Sequence, residues 1–156
     1  MLAQKSLLQF RDFVIINSGY RFIQLPEQNV DQNTIENFFS EYVLDIDFML
    51  KKEPLGQYLF AKVIVNHKDE KPGYSLLAEG VVIIDDKLTE GLDKATLMQN
   101  VTIPAINIAI NQLRGYLINL TAYGPLGKYI LPAIDLADLL KKKAEKARSK
   151  KVTTKS

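Results

Sequence analysis

Few residues in this chain have the types and spacing that catalytic chemistry requires. His67 is the only histidine and cysteine is absent, which removes thiolate nucleophiles, cysteine-ligated zinc and disulfides together. His67 ends an apolar run and precedes Lys68 and Asp69. That is the setting of a turn residue, not of a general base held against a nucleophile. Asp45 and Asp47 fall on one face of a strand, as an acid pair or half a cation site would. Their alternation with Leu44, Ile46 and Phe48 reads instead as the solvent side of a half-buried strand. The segment Gly124-Pro125-Leu126-Gly127-Lys128 has the glycines and lysine of a phosphate loop. Such a loop follows a strand, opens a helix and carries Ser or Thr after its lysine, whereas here the segment closes a helix and Tyr129 follows. It can also be set beside the GXXG loop of KH domains, which lies between helices, but the strands here all precede the helices. The expectation is a protein that is not an enzyme and takes no metal and no cofactor.

Bulk properties leave room for a binding protein. A chain of 156 residues, 47% of them apolar, can form one hydrophobic core. It has no apolar run long enough to span a bilayer, and Gln4, Lys5, Ser6 and Gln9 interrupt any signal-peptide core at the start. A cytoplasmic protein without membrane insertion is expected. The net charge is only +2, but from Lys141 the sequence reads KKKAEKARSKKVTTKS, and the remainder is net acidic. The expected organisation is a domain over 1–140 and a lysine-rich, flexible tail over 141–156. Nucleic acid binding through that tail is the alternative of another class.

The elements follow from periodicity. Residues 7–25 mix aromatic and β-branched residues and predict a first strand, bent at Gly19. The polar stretch from Pro26 to Ser40 reads as a crossover loop ending in Phe38-Phe39. Alternation over 42–50, 58–67 and 74–84, separated by turn residues around Pro54-Leu55-Gly56 and Pro72-Gly73, predicts an antiparallel meander with a bulge or close approach at Gly80. Ile106, Ile110, Leu113, Leu117 and Leu120 then step by four and three along a long amphipathic helix. Pro104 predicts a kinked or separate segment over 92–101. Gly124 in a left-handed cap conformation and Pro125 end that helix. Asp135 caps a second one carrying Leu136, Leu139 and Leu140. The fold class is α+β, a four-stranded antiparallel sheet with two C-terminal helices packed on one face. Its second face calls for another covering, and a second copy would serve.

The segment from Ile103 to Leu140 resembles the C-terminal half of the SecB family of export chaperones. The likeness rests on Arg114 ten residues before Gly124, on Leu126 and Leu131 at apolar loop positions, and on Ile134, Asp135 and Leu136 opening the last helix. Gly80 falls where that family has a glycine before an apolar strand end.

The resemblance implies an ATP-independent holdase for unfolded preproteins, with SecA as the motor it would serve. A solitary SecB-like chaperone protecting an antitoxin is the alternative within the same class. It also implies a dimer of dimers, a homotetramer, with Ile106, Ile110, Leu113, Arg114 and Leu117 at the oligomer interface. Clients would lie on apolar surface at the crossover (Leu25, Phe38, Phe39), the second strand (Tyr42, Leu44) and the interhelical loop (Tyr123, Leu126, Tyr129, Ile130, Leu131). Broad apolar area with few fixed hydrogen bonds suits many unrelated clients. The chain departs from the family in lacking its tryptophan–proline crossover, in carrying Asn111 and Gln112 where the family has proline–tyrosine, and in its basic rather than acidic tail.

Overall fold

The computed structural model describes residues 1–26, 29–85, 87 and 89–153, with side chains up to 149. Glu27, Gln28, Asp86, Leu88 and the last three residues of the lysine-rich tail lie outside the described residues. Strand β1 (Gln9–Ile23) is followed by helix α1 (Gln32–Glu41), strands β2 (Leu44–Glu53), β3 (Gly56–Val65) and β4 (Gly73–Asp85), and helix α2 (Lys94–Leu97). A π-helical turn (Met98–Thr102) joins α2 to α3 (Ile103–Thr121), and α4 (Leu136–Thr153) closes the described chain. The strands form one antiparallel sheet in the order β1-β4-β3-β2.

The alternation anticipated for β2 fixes its register: Leu44, Ile46, Phe48 and Leu50 pair with Val65, Val63, Ala61 and Leu59 on the inner face. Pro54 and Leu55 make the two-residue turn into Gly56, whose φ of 144° favours glycine. The β3–β4 connection is organised by Asn66. This buried residue has a φ of 55°, and its side-chain amide donates to the carbonyls of Lys71 and Tyr74 and accepts from the Lys71 amide. Asparagine tolerates the left-handed region, so one residue turns the chain and satisfies its polar groups. At Gly80 the anticipated close approach is present, since a β-carbon there would stand 2.3 Å from the Phe13 ring. The associated irregularity lies on the partner strand, where Ile16 is the extra residue between the pairs Ile15–Gly80 and Asn17–Glu79.

Helix α3 packs on the inner face, with Ala105, Ile106, Ala109, Ile110, Leu113 and Leu117 buried against the sheet. The kink anticipated before Pro104 is realised as the π-helical turn. Proline has no amide to donate at that point, and a wider turn accommodates its ring. The crossover is not wholly a loop: Asp31 accepts the Thr34 amide at 2.8 Å and caps α1. That cap, with Ile35 buried behind it, turns most of the polar stretch into a helix. Helix α4 begins where Asp135 caps it and continues to Thr153, so most of the lysine-rich segment is helical. It lies beside β2, where Lys143 pairs with Asp47 and stands 5.3 Å from the centroid of the Phe48 ring.

Gly124 does not adopt the left-handed conformation expected of a helix cap; Gly127, with a φ of 75°, does. Gly124 is required for a different reason. A β-carbon there would stand 2.4 Å from the Tyr74 hydroxyl.

Candidate functional site

The loop between α3 and α4 is held from three sides. Thr121 accepts the Tyr129 amide at 2.8 Å and donates to the Leu117 carbonyl at 2.8 Å. The Tyr74 hydroxyl accepts the Leu126 amide at 3.0 Å and donates to the Gly127 carbonyl at 2.8 Å. Arg114 donates to the carbonyls of Leu131 at 2.8 Å and Pro132 at 3.1 Å, and also bonds Asn111. The spacing between Arg114 and Gly124 thus has a physical meaning. The arginine reaches over the loop that the glycine lets close.

Fixing this loop assembles an aromatic cluster. Phe39 of α1 stacks on Tyr74 with centroids 5.7 Å apart and meets Tyr42 at 5.6 Å and Tyr129 at 5.3 Å. Tyr20 and Phe22 of β1 approach Tyr74 at 5.6 and 6.3 Å. Such offset and edge-on pairs add to the burial of their apolar area. The base of the cluster is buried. Burial pushes the Tyr42 phenol up to about 12, although the Tyr74 amide bonded to it works in the opposite direction. Burial also raises the Tyr129 phenol, whose oxygen has no hydrogen-bond partner. Both stay neutral near pH 7, so the cluster presents ring surface rather than charge.

The residues expected to hold clients divide into two groups. Tyr42, Leu126, Tyr129 and Leu131 are core residues of the protomer, with Tyr129 and Leu131 each 1% exposed. They shape the site from beneath and offer no surface in this conformation. Tyr123 is fully exposed, Ile130 is 62% exposed, and Phe38, Phe39 and Leu25 are half-buried. Phe39 and Ile130 line a cleft of about 440 Å³ with Gln32, Glu36, Leu126 and Lys128. Leu44 is separate, in a cleft of about 340 Å³ between β2 and α4 with Ile46, Phe48 and Leu139. Tyr20, Phe22 and Tyr74 were absent from the sequence expectation. The signal for them was the Tyr20-Arg21-Phe22 alternation, which places two aromatic rings on one side of a strand end.

The residues expected at an oligomer interface are placed differently. Ile106, Ile110, Leu113 and Leu117 face the sheet and are buried within one protomer, and Arg114 is engaged with its own loop. The outward side of α3 carries Asn107, Asn111, Gln112 and Asn119 instead. The four-residue stripe is the helix's core-facing stripe, a reading that periodicity allows equally.

His67 is exposed in the β3–β4 connection, and the described residues contain no cluster of acids and histidine suited to a metal ion. Among them, no helix is long and apolar enough to cross a membrane.

The four-stranded sheet in this order, helix α3 on its inner face and helix α4 beyond a braced loop make a SecB-like fold. The solved structure of the Mycobacterium tuberculosis Rv1957 SecB-like chaperone in complex with a ChAD peptide from the Rv1956 HigA1 antitoxin shares it. That structure is similar to this chain with a TM-score of 0.55 and 16% identity, over 82% of this chain and 90% of that one. No family model and no curated protein matches the sequence.

Proposed function

We propose that this protein is an ATP-independent holdase that captures unfolded polypeptide on the aromatic rim beside α1 and the interhelical loop. The observation that carries the reading is the gathering of Tyr20, Phe22, Phe39 and Ile130, all partly or largely exposed, around a rigid buried base on a SecB-like fold. Exposed apolar area of this kind, rimmed by Gln32, Glu36 and Lys128, suits an extended chain bound through side chains of varied shape. Rings that need not reorganise keep the entropic cost of capture low.

Within this reading the client is either a newly made preprotein or a segment of an antitoxin. The antitoxin peptide on the M. tuberculosis neighbour supports the second. The basic α4 weakens the case for delivery to SecA. The proposal places the protein in the cytoplasm as a homo-oligomer, and several rims on one assembly would raise the affinity for a long client.

The test is suppression of aggregation of a chemically unfolded substrate, without nucleotide, by the full chain and by Ile130→Asp and Phe22→Asp. Protection at stoichiometric ratio that both variants lose while retaining their circular dichroism supports the reading. Undiminished aggregation with the full chain overturns it. Nucleic acid binding that falls steeply with salt and vanishes on deletion of 141–156 would instead favour the basic helix as the functional element.

A further inference from the structure

The sheet face turned away from α3 is apolar over much of its area. Val14, Ile16 and Met49 there are 41%, 54% and 50% exposed. Half-buried Phe60, Ile64, Leu77 and Ile83 continue the surface across β3 and β4. Phe60 pairs with Met49 and with Val81, which pairs in turn with Val14, so one apolar row crosses all four strands.

Beside that row runs a polar one: Asp47, Lys62, Glu79 and Asn17 are successive cross-strand partners on β2, β3, β4 and β1. Lys62 pairs with Glu79 at 2.8 Å, and Asn17 donates to Glu79 at 3.0 Å. Lysine and asparagine hold the Glu79 carboxyl below its ordinary range, so it is charged at neutral pH. On the other side of the apolar row the partners are Lys51, Tyr58, Ile83 and Asp12.

These rows have a shared symmetry. A two-fold axis parallel to the strands, midway between β3 and β4 and above the face, exchanges β3 with β4 and β2 with β1. It carries Lys62 over the second copy's Glu79, and Lys51 toward the second copy's Asp12. The same operation sets Phe60 over Val81, Met49 over Val14 and Ile64 over Leu77, apolar on apolar in each case. Lys62 and Lys51 thus each meet a carboxylate of the second copy, and Asp47 meets the neutral Asn17, so no like charges face each other in this isologous contact. Two sheets packing face to face lie about 10 Å apart with strands about 30° from parallel, which leaves the central pairs in reach and asks only the long Lys51 side chain to span an offset.

We propose that two copies of this chain associate through these outer sheet faces, with Lys62 and Glu79 of each copy forming a four-membered charge cluster at the centre. This contact is independent of the aromatic rim and leaves it open.

The test uses the asymmetry of single charge reversals. Lys62→Glu and Glu79→Lys each place like charges opposite one another in a self-pair, whereas one variant facing the other restores opposite charges at both central positions. Expected is self-association of the wild type by analytical ultracentrifugation, weakened about tenfold or more in either variant alone and recovered when the two are mixed. A structural effect inside one protomer cannot be recovered by mixing, because each chain keeps its own broken Lys62–Glu79 pair. Ile16→Lys, at a residue exposed in the protomer, serves as a second variant that weakens association without touching that pair. A monomeric wild type, variants that associate as the wild type does, or a loss that mixing leaves in place overturns the proposal. Unchanged association with lost protection of an unfolded substrate would give the face to client chains and overturn it equally.

Discussion

The Tyr42 hydroxyl accepts the buried Tyr74 amide at 2.9 Å and donates to the Pro72 carbonyl at 2.8 Å. One phenol thereby joins the end of α1 to the start of β4, directly under the aromatic rim. Tyr42→Phe keeps the ring but leaves the Tyr74 amide without its acceptor. The expected loss is about 1–3 kcal/mol of unfolding free energy, read from a denaturant midpoint with unchanged slope.

Tyr129 should respond in the opposite direction. Its hydroxyl is buried and unpartnered, so Tyr129→Phe removes a desolvated polar group and is expected to be neutral or stabilising by about 1 kcal/mol. A destabilisation as large as that of Tyr42→Phe would show that the oxygen has a partner in solution.

Three glycines give three different responses to alanine. Gly124→Ala drives a β-carbon into the Tyr74 hydroxyl that ties down Leu126 and Gly127, and should lower thermal stability and client protection together. Gly127→Ala meets no atom but imposes a side chain on a φ of 75°, at a cost of about 1–2 kcal/mol. Gly115→Ala, in open space on the exposed side of α3, should stabilise by up to about 1 kcal/mol through helix propensity. Melting temperatures of the three variants check this order.

Alkali should loosen the aromatic site. Tyr42 has a folded value of about 12 against an ordinary 10.0, and Tyr129 is raised as well. A raised phenol favours the folded state fully below its unfolded value, and this contribution is lost as pH rises toward the folded value. Stability is therefore expected to fall from about pH 10 upward, with part of the tyrosinate absorbance appearing only on unfolding. Tyrosinate that appears entirely before the circular dichroism changes would contradict this.

Acid should act on the α4 contact. Burial pulls the Asp47 carboxyl upward, but Lys143, the Phe48 amide and Lys146 outweigh it and leave it below 3.8. A lowered carboxylate contributes above its unfolded value and ceases to contribute as pH falls through the folded one. Asp47→Asn should accelerate amide exchange in α4 at neutral pH and leave little further acid effect there, while the sheet keeps its protection.

The strands were legible because half-buried β2 writes its faces in plain alternation, and Pro104 announced the irregular turn before α3. Helix α1 was not, since its support is one Asp31 cap and the burial of Ile35, against a composition that favours loops. The stripe on α3 marked an apolar surface without naming what covers it, and the covering is the sheet of the same protomer. The site was half legible. Its interhelical loop could be located from Arg114 and Gly124, but Tyr20, Phe22 and Tyr74 converge only through the β1–β4 pairing. Local periodicity carries no record of that long-range contact.

That pairing has a consequence for how the protein is made. Strand β1 precedes β2, β3 and β4 in the chain, yet all its ladder partners lie between Gly73 and Asp85. The β2-β3-β4 meander can close locally, whereas β1 must wait through the synthesis of three other elements before its edge of the sheet exists. During that interval Phe13, Val14, Ile15 and Ile16 form an apolar, strand-prone stretch without a fold. In its own biogenesis the chain passes through the kind of state that the proposed holdase would hold.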